Sequence, residues 1–148
     1  MIDDKNNLKL NGKNEEDLKI ISTYLQDSLV TVKNILFLKE NKTFIMIVNR
    51  FMWEYAEREV HKRNRRIKCA LRFEEVIKVK SKNIKQKNTN KSLEYLAINS
   101  NMVSNNHYVI KIFFSGGGII TIVSEVIEVF MSDLGKPWTV KHLPKHII

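Results

Sequence analysis

The chain has 148 residues, 43% of them hydrophobic, and carries 25 Lys and Arg against 16 Asp and Glu, a net charge of +9. That length suits one domain with enough buried surface to fold without disulfide or metal support. A single cysteine, Cys69, excludes an internally disulfide-bonded scaffold, and the longest apolar runs, 44–48 and 119–123, fall far short of the ~20 residues of a bilayer-spanning helix.

The polar segment 1–13 reads as a short arm or an isolated edge segment, and its first residues lack the cationic and apolar regions of a signal peptide. The cytoplasm is the expected location. Asn14 then offers an N-cap, and Glu15, Glu16 and Asp17 place negative charge on a first helical turn. Leu18, Ile21, Leu25 and Leu29 follow at helical spacing, which predicts one amphipathic helix over 14–28.

Beyond it the period changes. Two apolar, β-branched runs, 30–38 and 44–48, flank Glu40-Asn41-Lys42 and predict a hairpin whose second strand continues to Glu54. Residues 57–66, polar and basic, read as an exposed loop or a frayed turn. Ile67, Cys69, Leu71 and Phe73 alternate with Lys68, Ala70 and Arg72, the period of a half-buried strand. Val76, Ile77 and Val79 continue into another short strand alternating with Lys78, Lys80 and Lys82. Residues 83–92 lack apolar periodicity and read as a loop, 93–98 as a strand, and 99–106 as a second polar loop. The runs 108–114 and 119–123 flank Ser115-Gly116-Gly117-Gly118, a hairpin turn. Residues 126–130 extend the sheet towards Gly135, Pro137 ends it, and 139–148 form a tail.

One helix and seven or eight strands on short connections define an α+β, mostly antiparallel fold. The expected architecture is a single globular domain over 14–138, with the N-terminal helix packed on a curled sheet that forms a barrel or a sandwich. A pleckstrin-homology-like barrel is one candidate, although its helix would follow the strands.

No catalytic or metal-binding constellation emerges. The triple glycine leads into a strand, whereas a phosphate loop leads into a helix. Pro144 separates His142 from His146, and His61 and His107 stand alone, so no metal ligand set and no cofactor are expected. Cys69 falls on the apolar phase of its strand and reads as a core residue. Glu74-Glu75 and Glu125 with Glu128 read as solvated surface charge. The protein is therefore expected not to be an enzyme.

Charge distribution carries the functional signal. Residues 58–91 hold thirteen Lys and Arg against three acids, and five of the six arginines of the chain lie there. Lysine, asparagine and isoleucine are abundant throughout, which biased codon usage also produces, whereas clustered arginines resist that explanation. Arg63, Arg65, Arg66, Lys62 and Lys68 are candidate phosphate contacts, with Arg50 and Trp53 as flanking contacts. A sheet face combining cations and aromatics is how single-stranded nucleic acid is held.

Four collinear stretches, EEDLKIISTYLQDSLV (15–30), VNRFMWE (48–54), ALRFEEVIKVKSKNI (70–84) and FFSGGGIITIVSEVIEVFMSDLGKPW (113–138), resemble an alphaproteobacterial domain-of-unknown-function family, the one numbered 2948. The resemblance spans about residues 8–138. It implies a lineage and a single-domain architecture and brings no activity. Two functions remain: a binding module whose basic segment, about 58–91, engages RNA, the ribosome or another anionic partner, or a protein-interaction or small-ligand domain in which the charge is incidental. Oligomeric state is left open, and no membrane association is expected.

Overall fold

The computed structural model of the protein describes residues 7–53, 64–103 and 106–140. The chain runs β1 (Lys9–Gly12), α1 (Glu15–Tyr24), β2 (Leu29–Leu38), β3 (Thr43–Phe51), β4 (Asn64–Phe73), β5 (Val76–Lys82), β6 (Ser92–Val103), β7 (His107–Phe114), β8 (Ile119–Ser124) and β9 (Val129–Val140). All nine strands belong to one antiparallel sheet of order β1-β9-β4-β3-β2-β6-β7-β8-β5, which curls without closing.

The helix starts where its cap predicts. The Asn14 side chain accepts a hydrogen bond from the Asp17 backbone N–H at 2.8 Å, and the Asp17 carboxylate accepts one from Lys13 N–H at 2.9 Å. It ends at Tyr24, four residues earlier than the apolar spacing suggests. Leu25 is still buried on the helical side, but Asp27 adopts φ 62°, and the chain turns so that Leu29 opens β2. The helix packs between β1 and β6. A Cβ on Gly12 would lie 2.9 Å from Ile21 Cδ1, and Ser22 Oγ is 2.5 Å from the Tyr95 hydroxyl of β6.

Several strand boundaries differ from the sequence reading: β4 already opens at Asn64, inside the stretch expected as a loop, and β3 ends at Phe51, short of Glu54. The polar arm contains β1, which pairs with Ser132, Met131, Phe130 and Val129 and raises the strand count to nine. The segment 99–103, expected as loop, continues β6, with Asn99 and Asn101 on its outer side. Strand β9 runs past Gly135 and Pro137 to Val140. A register shift pairs Lys68 with Leu134 and Arg66 with Trp138, so Pro137 sits in a bulge where no ladder N–H is needed. The sheet is neither a closed barrel nor a sandwich, and α1 lies between β1 and β2, not after the strands.

The core fills the concave side. Phe44, Met46, Val48, Cys69, Leu71, Phe73, Ile110, Ile112, Phe114, Ile122 and Met131 are fully buried there beside Leu18, Ile21 and Leu25 of the helix. Each strand residue belongs to the inward phase of its alternation. Among them lies a charge pair. Arg50 and Asp133 are both completely buried in their side chains and form a bidentate bridge, Nε to Oδ1 at 2.8 Å and Nη2 to Oδ2 at 2.7 Å. The Leu8 N–H donates to Asp133 Oδ2 at 3.0 Å, tying the start of the chain to the same carboxylate.

The seam is where the curl stops. Strands β2 and β6 pair only at Leu29, Val30 and Thr31, and the backbone N–H groups of Val32 and Lys33 then donate to Lys91 O and Thr89 O. A bulge separates Val30 from Ile35, after which β2 pairs with β3 alone. Strand β5, the last of the sheet, meets the β2–β3 turn through Val76 N–H to Lys42 O at 2.8 Å.

Candidate functional site

The expected basic contacts do not share one surface. Lys62 and Arg63 lie outside the described residues. Arg50 is 0% exposed with its guanidinium on Asp133, so it is a core residue and not a flanking surface contact. The sequence misled here because Arg50 occupies the inward phase of β3, and its partner lies 83 residues away. Arg66 is half-buried. Its Nη1 donates to Asp27 O at 3.1 Å and Asn49 O at 3.0 Å, its guanidinium lies 5.7 Å from the Phe51 ring centre, and burial lowers its pKa. Trp53 stacks edge-on against Phe51 with ring centres 4.5 Å apart, and its indole Nε1 donates to Gln26 O at 2.8 Å. Trp53 and Arg66 thus fasten the α1–β2 turn. Arg65 and Lys68 are exposed.

Lys68 and Arg72 share the convex side of β4, the latter 2.6 Å from Glu74 and 4.6 Å from the Phe130 ring centre. Cys69, on the concave side, is completely buried. Desolvation, and next the Asp133 carboxylate, push its thiol far above the ordinary range, so it is not a nucleophile at neutral pH. Among the described residues no three His, Cys, Asp or Glu side chains cluster as metal ligands.

A different part of the basic segment makes a continuous surface. From residue 76 to 91 there are six lysines and no acid. Strand alternation puts Lys78, Lys80 and Lys82 on the convex side of β5, and antiparallel register extends each into a row. Lys80 lies beside Thr121, Lys111 and Asn99; Lys78 beside Val123, Val109 and Asn101; Lys82 beside Ile119, Phe113 and Ala97. No carboxylate stands in these three rows. Consecutive lysines are about 7 Å apart along the strand, and Lys111 lies two strands away, about 10 Å. Lys85, Lys87 and Lys91 continue the exposed charge into the segment that follows β5. Among the described residues ion pairs are made by Lys42, Arg50 and Arg72, and by none of these seven lysines. Lys111 was missed in the sequence because only the register of β7 against β8 brings it beside β5.

The concave side of β5 faces a cleft of about 530 Å3 in the open seam. Val32, Ile35 and Phe37 of β2 form one wall, Val79 and Ile84 the other, and Phe44 with Ile120 lies between them. Polar groups lining it are Lys33, Ser81, Gln86 and Thr89, and Gln86 Nε2 donates to Ser81 Oγ at 2.7 Å. No acid lines it.

These features define a class: a nine-stranded antiparallel domain with one helix, a lysine-rich convex face and an apolar cleft at an open seam. The chain belongs to the family described as Protein of unknown function (DUF2948), whose model matches residues 8–146. No curated protein and no solved structure matches it. No helix among the described residues is long and apolar enough to cross a membrane.

Proposed function

We propose that the protein is a non-enzymatic binding module for single-stranded RNA, engaged by the convex face of β5, β8, β7 and β6. The observation that carries this reading is the acid-free grid in which Lys78, Lys80 and Lys82 stand in register with Lys111, with no ion pair among the described residues. Lys78, Lys80, Lys82 and Lys111, uncompensated on one face of a chain of net charge +9, attract a polyanion and raise its association rate. The lysines track phosphates. Half-buried Phe113 offers a ring for a base, and Asn99 and Asn101, exposed in adjacent rows, offer donors and acceptors to base edges.

Fluorescence anisotropy of a short labelled single-stranded RNA across a salt series tests it. Affinity falls with salt, the logarithmic slope reporting about 0.7 per phosphate neutralised. The triple change Lys78→Glu, Lys80→Glu, Lys82→Glu abolishes binding, while Arg65→Glu with Lys68→Glu, on β4, leaves most of it. Phe113→Ala weakens binding by about 1–3 kcal/mol, the worth of one stacked base. Salt-independent binding, or binding unchanged by the triple substitution, overturns the reading.

A further inference from the structure

The seam cleft is unrelated to the convex face, and we infer that it holds one fatty carboxylate, its alkyl chain between β2 and β5 and its head at Lys33. The inference is independent of RNA binding: the same strand that turns Lys78, Lys80 and Lys82 outward turns Val79 and Ser81 into the cleft.

Shape argues for a chain. The β2 wall from Val32 to Phe37 is about 16 Å long at the strand rise. The cleft of about 530 Å3 that opens beside this wall has room for one slender ligand laid along the strand. The size falls within the range of small-molecule sites, which combine apolar walls with a few convergent polar groups.

Chemistry argues for an apolar body. Val32, Ile35, Phe37, Val79 and Ile84 pack on the core yet stay partly exposed, because the sheet does not close over them. A hydrocarbon chain laid there would complete the burial that strand pairing leaves unfinished.

Charge argues for a single anionic head. One cation, Lys33, lines the cleft with the hydroxyls of Ser81 and Thr89. Gln86 already donates to the Ser81 oxygen, which leaves the Ser81 O–H to donate outward. One ammonium and two hydroxyl donors match a monoanionic carboxylate, and no lining acid repels it.

The test is methyl NMR of the full chain titrated with decanoate below its micelle concentration, with decanol as the uncharged comparator. Expected is saturable binding with Kd below about 1 mM and shifts centred on the methyls of Ile35, Val79 and Ile84. Lys33→Glu weakens decanoate about tenfold and leaves decanol unchanged. Ile84→Trp, which fills the cleft, removes both; its folding is read from the dispersion of the remaining methyls. Absence of saturable shifts, shifts centred elsewhere, or equal affinity for decanoate and decanol overturns the inference. The triple β5 lysine-to-glutamate variant keeps decanoate binding, which separates failure here from failure of the RNA reading.

Discussion

The two halves of the sheet are built differently. From Phe44 to Phe51 of β3, Ile67 to Phe73 of β4 and Val129 to Asp133 of β9, concave residues are buried and an ion pair is sealed among them. At β5 and the far end of β2, the concave residues are only partly covered and the backbone edges are unpaired over much of their length. The first region spends its sequence on packing. The second leaves surface available, convex cations on one side and a concave cleft on the other. Function is more readily found where neighbouring strands have not consumed the side chains.

The largest effect should come from breaking the sealed half. Asp133→Ala leaves Arg50 charged and buried without its bidentate partner and costs about 3–5 kcal/mol, read as a fall in urea midpoint or Tm. Replacing the pair together, Arg50→Met with Asp133→Leu, recovers most of that loss. Equal destabilisation by single and double changes would mean that the bridge does not set the cost.

A paired truncation sharpens the contrast. Leu71→Ala, at a position with 0% exposure, costs about 2–5 kcal/mol, whereas Ile84→Ala at the seam costs roughly 1 kcal/mol or less. Native-state hydrogen exchange gives the same ranking without mutation, with β4 amides protected close to the global stability and β5 amides opening locally. Equal protection in the two strands would erase the distinction.

Alkaline pH probes the buried core. Burial raises the pKa of Cys69, and burial likewise raises that of Tyr95 against the weaker opposing effect of its bond to Ser22. A proton retained by the native thiol and lost by the unfolded one makes stability full below about pH 8.5 and falling above it. The slope approaches about 1.4 kcal/mol per pH unit for each group, with Tyr95 adding its share above about pH 10. Cys69→Ala should flatten the first part of that fall in pH-dependent denaturation curves. The smallest effect expected is at the helix start, where Asn14→Ala removes the cap bond to Asp17 N–H and costs about 1 kcal/mol by thermal melting.

Much of this was legible in the residues. Period-two alternation located β4 and β5, and two apolar runs around the glycines located β7 and β8. The glycines at 116–117, with φ 81° and 84°, marked the β7–β8 turn, and the Asn14 cap marked the first turn of α1. Cys69 was readable as core from its phase alone. Polar strands were not. Residues 99–103 look like loop because their outward side chains are asparagines, yet β7 supplies hydrogen-bond partners that propensity cannot register. Pro137 reads as a strand end until a bulge removes the need for its N–H.

Local pattern decided which residues alternate, where the helix begins and where positive charge accumulates, since each depends on neighbours a few positions away. Pairing across the sheet decided the rest. It sent Arg50 inward to Asp133, placed Lys111 beside the lysines of β5, and left a seam between β2 and β5. Register, closure and the partner of a buried charge depend on contacts between residues tens of positions apart, and no short-range period encodes them.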